Sequence, residues 1–174
     1  MELKKITEKV FYIPNPANIG VVKYGQNSAI LIDSGIDDDT ARKVVNLLQD
    51  NSMTIKAIIN THSHADHCGG NNLIQSRTGA KVYAPELESA LIEYPFLEPF
   101  YLFFGVAPIK DMTGKFTMAK PSKVDYIIKE EKYIDFEDIR LNILSLPGHM
   151  PNQIGIEADN VLFCGDSIFS EDVV

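Results

Sequence analysis

The sequence lacks the features of an exported or membrane-embedded protein. None of its 174 residues fall in an apolar run long enough to cross a bilayer, and residues 1–14 alternate charged and apolar side chains where a signal peptide would be continuously apolar. It has only two cysteines, Cys68 and Cys164, which are far apart in the chain. A lone pair without an export signal is expected to be two reduced thiols. We therefore predict a cytoplasmic protein.

The sequence also lacks a surplus of basic residues. Sixteen Lys and Arg against 24 Asp and Glu give a formal net charge of −8. Because such a surface repels phosphate backbones, we expect no nucleic-acid partner, and we expect no membrane partner either. Hydrophobic residues at 45% and charged residues at 23% are typical of a globular protein. The length suffices for one sizeable core but not for two ordinary domains.

Short β-type runs alternate with helical patterns along most of the chain. The expected strands are 9–14, 19–25, 28–35, 55–60, 81–84, 124–130, 139–147, 153–158 and 161–166. Helices are expected at 38–50, at about 70–78, and from Pro85 through Ile92. This order predicts an α/β (α+β) fold with layers of sheet and helix.

Residues 94–122 interrupt this pattern. They contain four prolines and two glycines, and six aromatic side chains are crowded into 94–104. Two interpretations are open. The segment is either an excursion that covers a pocket or forms an interface, or a loop whose aromatic rings plug the edge of the core.

The chain has only four histidines, and three of them, His62, His64 and His67, lie within six residues that also include Asp66. Neutral imidazole is the commonest metal ligand in proteins, and carboxylate complements it for Zn²⁺. Side chains two positions apart in an extended segment point the same way, so His62 and His64 can hold one ion. Asp66 and His67 lie past the bend and can face a second. Packing explains such a cluster poorly, because each side chain would need its own buried partner.

Four motifs, in this order along the chain, resemble those of the metallo-β-lactamase-fold hydrolases, a superfamily that includes glyoxalase II. They are LIDSG at 31–35, IINTHSHADHCGG at 58–70, LPGHMPNQIGI at 146–156 and LFCGDSIF at 162–169. The resemblance implies an αββα metallo-β-lactamase-like sandwich.

The resemblance also implies a role for individual residues. The first metal would be held by His62, His64 and His149, the second by Asp66 and His67, and Asp166 would bridge the two. Zn²⁺ is the expected ion, as one or two ions, with iron or manganese as alternatives. Asp33 would orient a ligand or the histidine loop from behind, although it can also cap the turn at Ser34-Gly35; we favour the supporting role. We interpret Cys68 as a packed thiol.

The function implied by the resemblance is metal-dependent hydrolysis. The metal lowers the pKa of bound water toward about 7, and the resulting hydroxide attacks an electrophilic centre while Asp66 orients it and accepts its proton. A small ester, thioester or lactone is the expected substrate. One alternative is a mononuclear-iron sulfur dioxygenase of the same fold, and another is a metal-binding fragment without turnover. A flavodiiron site is disfavoured because glutamate replaces the second histidine there, whereas position 64 is histidine.

The family's domain normally continues beyond the bridging aspartate and supplies one more histidine, whereas this sequence ends eight residues after Asp166. We therefore expect 1–174 to be a single incomplete domain that holds the N-terminal two thirds of the sandwich, with the final strands and helices missing. Without this last histidine, the second metal is expected to bind with lower affinity. The uncovered apolar face, or the aromatic segment 94–104, is then a candidate homodimer contact.

Overall fold

A computed structural model of the protein describes residues 1–169 as two β-sheets and five α-helices. The strands are β1 (Lys4–Lys5), β2 (Val10–Ile13), β3 (Ile19–Tyr24), β4 (Ser28–Ile32), β5 (Thr54–Ile59), β6 (Lys81–Pro85), β7 (Tyr126–Ile128), β8 (Tyr133–Phe136), β9 (Ile139–Ser145), β10 (Ile154–Ala158) and β11 (Val161–Phe163). The helices are α1 (Asp38–Asp50), α2 (Ala65–Cys68), α3 (Asn71–Thr78), α4 (Glu86–Glu93) and α5 (Leu97–Leu102). No helix within 1–169 has the length and apolarity that a membrane span needs.

The two sheets differ in their strand direction. The first sheet contains β1 to β7 in sequence order; β1 to β4 are antiparallel, and β4 to β7 are parallel. The second sheet is antiparallel throughout, in the order β11-β10-β9-β8. Because β4 and β5 are parallel neighbours, the loops that follow them emerge at the same edge of the sheet. Those loops carry Asp33 and the histidine run.

The core consists of two apolar layers, one on each face of the first sheet. Side chains alternate along a strand, so Leu31 of β4 faces the helices while Ile30 and Ile32 face the second sheet. The helical layer includes Val44, Leu48 and Ile74, and the layer between the sheets includes Leu141, Ile154 and Ile156. This order of helices, sheet and sheet confirms the predicted sandwich.

Helix α1 spans its predicted residues because a side chain caps its first turn. Asp37 precedes the helix with extended backbone, and its Oδ1 accepts a hydrogen bond from the Thr40 N–H at 3.0 Å. Its other oxygen accepts from Lys115 Nζ at 2.8 Å. Both contacts lower the pKa of Asp37, to about 2, and the contact with Lys115 has the larger effect. The cap therefore joins α1 to the segment 94–122, called the excursion below.

We expect Asp37→Ala to lower the free energy of unfolding by about 1–2 kcal/mol, since the helix loses its cap. Asp37→Asn retains an acceptor for Thr40 and is expected to cost about half as much. Because the folded pKa lies below the ordinary 3.8, this stabilisation is present above about pH 4 and is lost as the pH falls toward 2. Urea titrations between pH 3 and pH 7 measure both effects. Equal losses in the two variants would contradict the capping role.

The structure corrects three expectations. The expected strand at 124–130 is shortened to β7, and the separate strand β8 follows it. The ends of the expected strands at 28–35 and 161–166 are loops, and these loops carry Asp33 and Asp166. In the excursion, α5 forms and most aromatic rings stay exposed, with Phe104 97% exposed. The interpretation as an aromatic plug of the core is therefore wrong for these rings.

Candidate metal centre

Three loops at one edge of the sheets carry the predicted ligands. The first follows β5 and continues into α2, the second joins β9 to β10 and carries His149, and the third follows β11 and carries Asp166. The third loop packs closely against the first because residue 165 is glycine. Its φ is +53°, and a Cβ there would lie 2.8 Å from Thr61 Oγ1. A larger side chain would push Asp166 away from the histidines.

The first group of potential ligands contains His62, His64 and His149. One nitrogen from each ring lies within 4.8 Å of the others. The closest approach is between His149 Nε2 and His64 Nδ1, at 2.8 Å. The extended backbone of His64, with φ −57° and ψ 145°, fits the predicted same-side arrangement of His62 and His64. This is the trio of the predicted first metal.

The second group contains His62, His67 and Asp166. Asp166 Oδ1 lies 3.0 Å from His67 Nε2, and its Oδ2 lies 3.5 Å from His149 Nε2, so this carboxylate stands between the two groups. Asp66 lies outside both groups, with Oδ2 3.8 Å from His67 Nε2 and a half-exposed side chain. The structure thus places five predicted ligands together and Asp66 beside them.

Asp33 anchors the histidine loop from behind. Its Oδ1 accepts from the Thr61 N–H, and its Oδ2 accepts from the Thr61 hydroxyl, each at 2.8 Å. The same Oδ2 lies 2.8 Å from His67 Nδ1, which fits an Nδ1–H donor. This contact holds a proton on Nδ1 and turns the Nε2 edge of the ring toward Asp166, so Nε2 is the atom that would bind a metal once it releases its own proton. Asp33 itself is buried and has φ +63°, a conformation that aspartate tolerates better than most residues.

The donor set fits a cation. His62 Nε2 and His67 Nε2 are both buried without a hydrogen-bond partner among the described residues; the 3.0 Å approach of Asp166 to His67 is a charge contact without hydrogen-bond alignment. An unsatisfied buried polar atom costs roughly 1–3 kcal/mol. Imidazole nitrogens and carboxylate oxygens are ligands that Zn²⁺ and related ions accept. A bound cation would therefore satisfy both nitrogens at once.

The protonation states of the histidines in the metal-free protein also support a cation site. Burial, and then repulsion from His67, lower the pKa of His62 to about 3, so its ring is the neutral form that binds metals. Burial disfavours the charged form of His67, but Asp33 and Asp166 outweigh it and raise the pKa of His67 to about 10. In the metal-free protein these carboxylates thus stabilise a positive charge at His67, and a bound cation would displace the Nε2 proton and take over that charge.

Two buried glutamates near the loop were not predicted from the sequence. Glu88 of α4 is fully buried, and its Oε2 accepts from the Ser63 N–H at 3.0 Å and from the Ser63 hydroxyl at 2.6 Å. Glu98 of α5 is 5% exposed, and its Oε1 lies 4.0 Å from His64 Nε2. Cys68 is buried, as expected for a packed thiol, and donates to the Ser63 carbonyl at 3.0 Å. A charged residue inside an otherwise apolar helical segment was the available signal for Glu98.

Glu98 is expected to make the stability of the metal-free protein depend on pH. Burial, followed by the nearby Asp66 and Glu88 carboxylates, raises its pKa from 4.5 to about 8. The folded state then keeps a proton that the unfolded state releases, so stability falls as the pH rises from about 5 to 8. We expect Glu98→Gln to be more stable than wild type by about 1–3 kcal/mol at pH 8 and equal at pH 5. Urea titrations with a chelator test this, and parallel pH profiles would contradict it.

Comparison with known proteins agrees with the geometry. The family model of the metallo-beta-lactamase superfamily matches residues 12–174, and the chain belongs to this superfamily. It is 30% identical over 151 residues to hydroxyacylglutathione hydrolase 1 of Vibrio vulnificus (strain YJ016), covering 86% of this chain and 47% of the relative. The hydroxyacylglutathione hydrolase of Blochmanniella pennsylvanica (strain BPEN) is 30% identical over 145 residues, with coverage of 83% and 44%.

Solved structures agree on the fold. The subclass B3 metallo-beta-lactamase BJP-1 of Bradyrhizobium japonicum superimposes with a TM-score of 0.74 at 24% identity, covering 93% of this chain and 60% of its own. The B3 metallo-beta-lactamase BLEG-1 gives 0.74 at 24% identity, with coverage of 92% and 73%. The chain thus spans about half the length of the curated relatives it matches.

Proposed function

We propose that this protein is a metal-dependent hydrolase whose centre is formed by His62, His64, Asp66, His67, His149 and Asp166. The observation that carries the proposal is the convergence of four imidazoles and one carboxylate from three loops, with two buried imidazole nitrogens lacking partners. Zn²⁺ is the proposed ion, and the two overlapping ligand groups support up to two ions. Membership of the superfamily supports the same assignment.

The bound metal would supply acidification of water and polarisation of an electrophilic carbonyl. The chain's own residues would hold and orient the reactants. Asp33 keeps the proton of His67 on Nδ1, so that Nε2 faces the site. Asp66 has a half-exposed carboxylate 3.8 Å from His67 Nε2, and we propose that it orients the attacking water and accepts its proton.

A small ester, thioester or lactone is the proposed substrate class. The name hydroxyacylglutathione hydrolase, borne by the relatives described above, supports the transfer of an acyl group to water. We also propose that the substrate is a small molecule. We further propose that the protein is cytoplasmic, because Cys68 and Cys164 are both free thiols, as is usual in a reducing compartment.

Metal analysis combined with hydrolysis assays tests the proposed function. The protein is purified without added metal, its Zn, Fe and Mn content is measured, and short-chain esters, thioesters and lactones are offered before and after chelation. Stoichiometric zinc with chelator-sensitive hydrolysis is the expected result. Stoichiometric iron with oxygen uptake on sulfur substrates would instead favour the dioxygenase alternative. Running residues 1–174 beside the full-length gene product separates an inactive fragment from an inactive protein.

Homodimer formation through segment 94–104 is a separate proposal. The rings of Tyr94, Phe96, Phe100, Tyr101 and Phe104 are all exposed by more than a third of their area, which supports a contact surface. Size-exclusion chromatography with light scattering measures the mass across a wide concentration range. A strictly monomeric mass throughout would count against the dimer.

A further inference from the structure

An open pocket of about 530 Å³ lies beside the candidate metal centre. Its volume falls within the range of about 300–1,000 Å³ that small-molecule sites occupy. The residues that matter here are Leu87, Leu91, Tyr101, His149, Met150 and Pro151. All but His149 offer apolar surface to a ligand.

Three parts of the chain form this pocket. Leu87 and Leu91 stand four positions apart on α4 and therefore share one face of that helix. Tyr101 comes from α5, within the excursion, and its hydroxyl donates to Met150 Sδ at 3.6 Å, which ties α5 to the His149 loop. Segment 94–122 thus contributes one wall of the pocket through Tyr101.

The charge of the pocket restricts what can occupy it. No lysine or arginine lines it in the described part of the chain, so an anionic group finds no counter-ion there. Glu88 also lines the pocket, with a fully buried side chain whose Oε2 is engaged by Ser63, and its carboxylate would repel an anionic group. The ligand portion that fits is uncharged and apolar.

We infer that this pocket binds the apolar acyl chain of the substrate, which narrows the substrate class to esters, thioesters or lactones of hydrophobic acyl groups. The inference rests on the proposed function. His149 connects the two regions, because it lines the pocket and its Nε2 lies 2.8 Å from His64 Nδ1 in the first ligand group. A substrate whose carboxyl or carbonyl oxygen is held beside His64 and His149 would therefore extend its chain along Leu87 and Leu91.

Binding of straight-chain carboxylates tests the inference without requiring turnover. The zinc-loaded protein is titrated by calorimetry with acetate, butanoate, hexanoate and octanoate. Each buried CH₂ contributes about 0.8 kcal/mol, or about fourfold in affinity, and in this open pocket we expect about two- to fourfold per CH₂. An affinity that does not change with chain length would overturn the inference.

A matched pair of variants locates the binding. Leu87→Asp places a charge in the pocket at a position that is already 58% exposed, so folding should be retained. It is expected to weaken octanoate about tenfold or more and to leave acetate unchanged. Leu97→Asp is the control, since Leu97 is also exposed but does not line the pocket. Equal losses in the two variants would overturn the assignment.

The design separates this inference from the proposed function. If zinc fails to bind, the proposed function fails, and the pocket is tested alone by adding 1-octanol to the metal-free protein and following the Met150 methyl resonance by NMR. A shift of that resonance in wild type but not in Leu87→Asp would support the pocket, and its absence would overturn it. If zinc and acetate bind but longer chains gain nothing, only the pocket inference fails.

Discussion

The His62→Ala variant should lose metal from both ligand groups, because His62 alone among the described residues belongs to both. We expect its affinity for Zn²⁺ to fall about 100- to 1,000-fold, beyond the 10- to 100-fold typical of losing an outer partner of a ligand. Any chelator-sensitive hydrolysis should fall in parallel. Isothermal titration of the metal-free variant, together with its zinc content after dialysis, measures the loss.

His64→Ala is the informative comparison for that result. His64 belongs to the first group alone, so this variant is expected to retain binding at His67 and Asp166 and to reduce the stoichiometry rather than abolish it. Asp50→Asn, which changes an exposed side chain at the end of α1 away from both ligand groups, is the control and should keep wild-type zinc content. Wild-type zinc content in His62→Ala would contradict the shared-ligand geometry.

Asp33→Ala should be the most destabilising change in the candidate site. The buried carboxylate holds Thr61 through two hydrogen bonds and His67 through one. Its removal leaves the Thr61 N–H and the His67 ring without their acceptor, and alanine is strained at φ +63°. By analogy with removing one member of a buried charged pair, we expect a loss of about 3–5 kcal/mol in the free energy of unfolding.

Two further variants separate the causes of that loss. Asp33→Asn keeps the shape and the tolerance of positive φ but removes the charge, and it should cost about 1–3 kcal/mol. Asp159→Ala measures the backbone strain alone, because Asp159 has φ +50° in an exposed turn. Urea titrations in chelator provide all three values. If Asp33→Ala costs no more than Asp159→Ala, the anchoring role of Asp33 is refuted.

Local patterns in the sequence predicted much of the fold. Helix α1 has both a capping aspartate and apolar residues at helical spacing, and its bounds were predicted at the observed residues. The motif strands β4 and β5 were predicted because their apolar runs stop at polar loops. The short strand β8 was missed, since its residues Tyr133 to Phe136 alternate only weakly between exposed and half-buried. Tertiary pairing with β9 stabilises that strand.

The candidate site was predictable where its residues are adjacent in sequence, and less so where they meet through space. The histidine run was recognisable because three of the four histidines lie within six residues. Glu88 and Glu98 did not, because their contacts with Ser63 and His64 span tens of residues and leave no periodic signal. The grouping of His62 with His67 and Asp166, in place of Asp66, likewise depends on how Gly165 lets one loop approach another.

The sequence separation within the candidate centre also bears on how the protein folds. Asp33 and Thr61 are 28 residues apart, and His64 and His149 are 85 residues apart. Bringing such distant segments together closes long loops, which costs chain entropy and slows assembly relative to the local formation of α1 or a hairpin. The centre therefore forms late, after the strands have paired. Added zinc should leave the refolding rate unchanged and slow only unfolding, as a stopped-flow comparison would show.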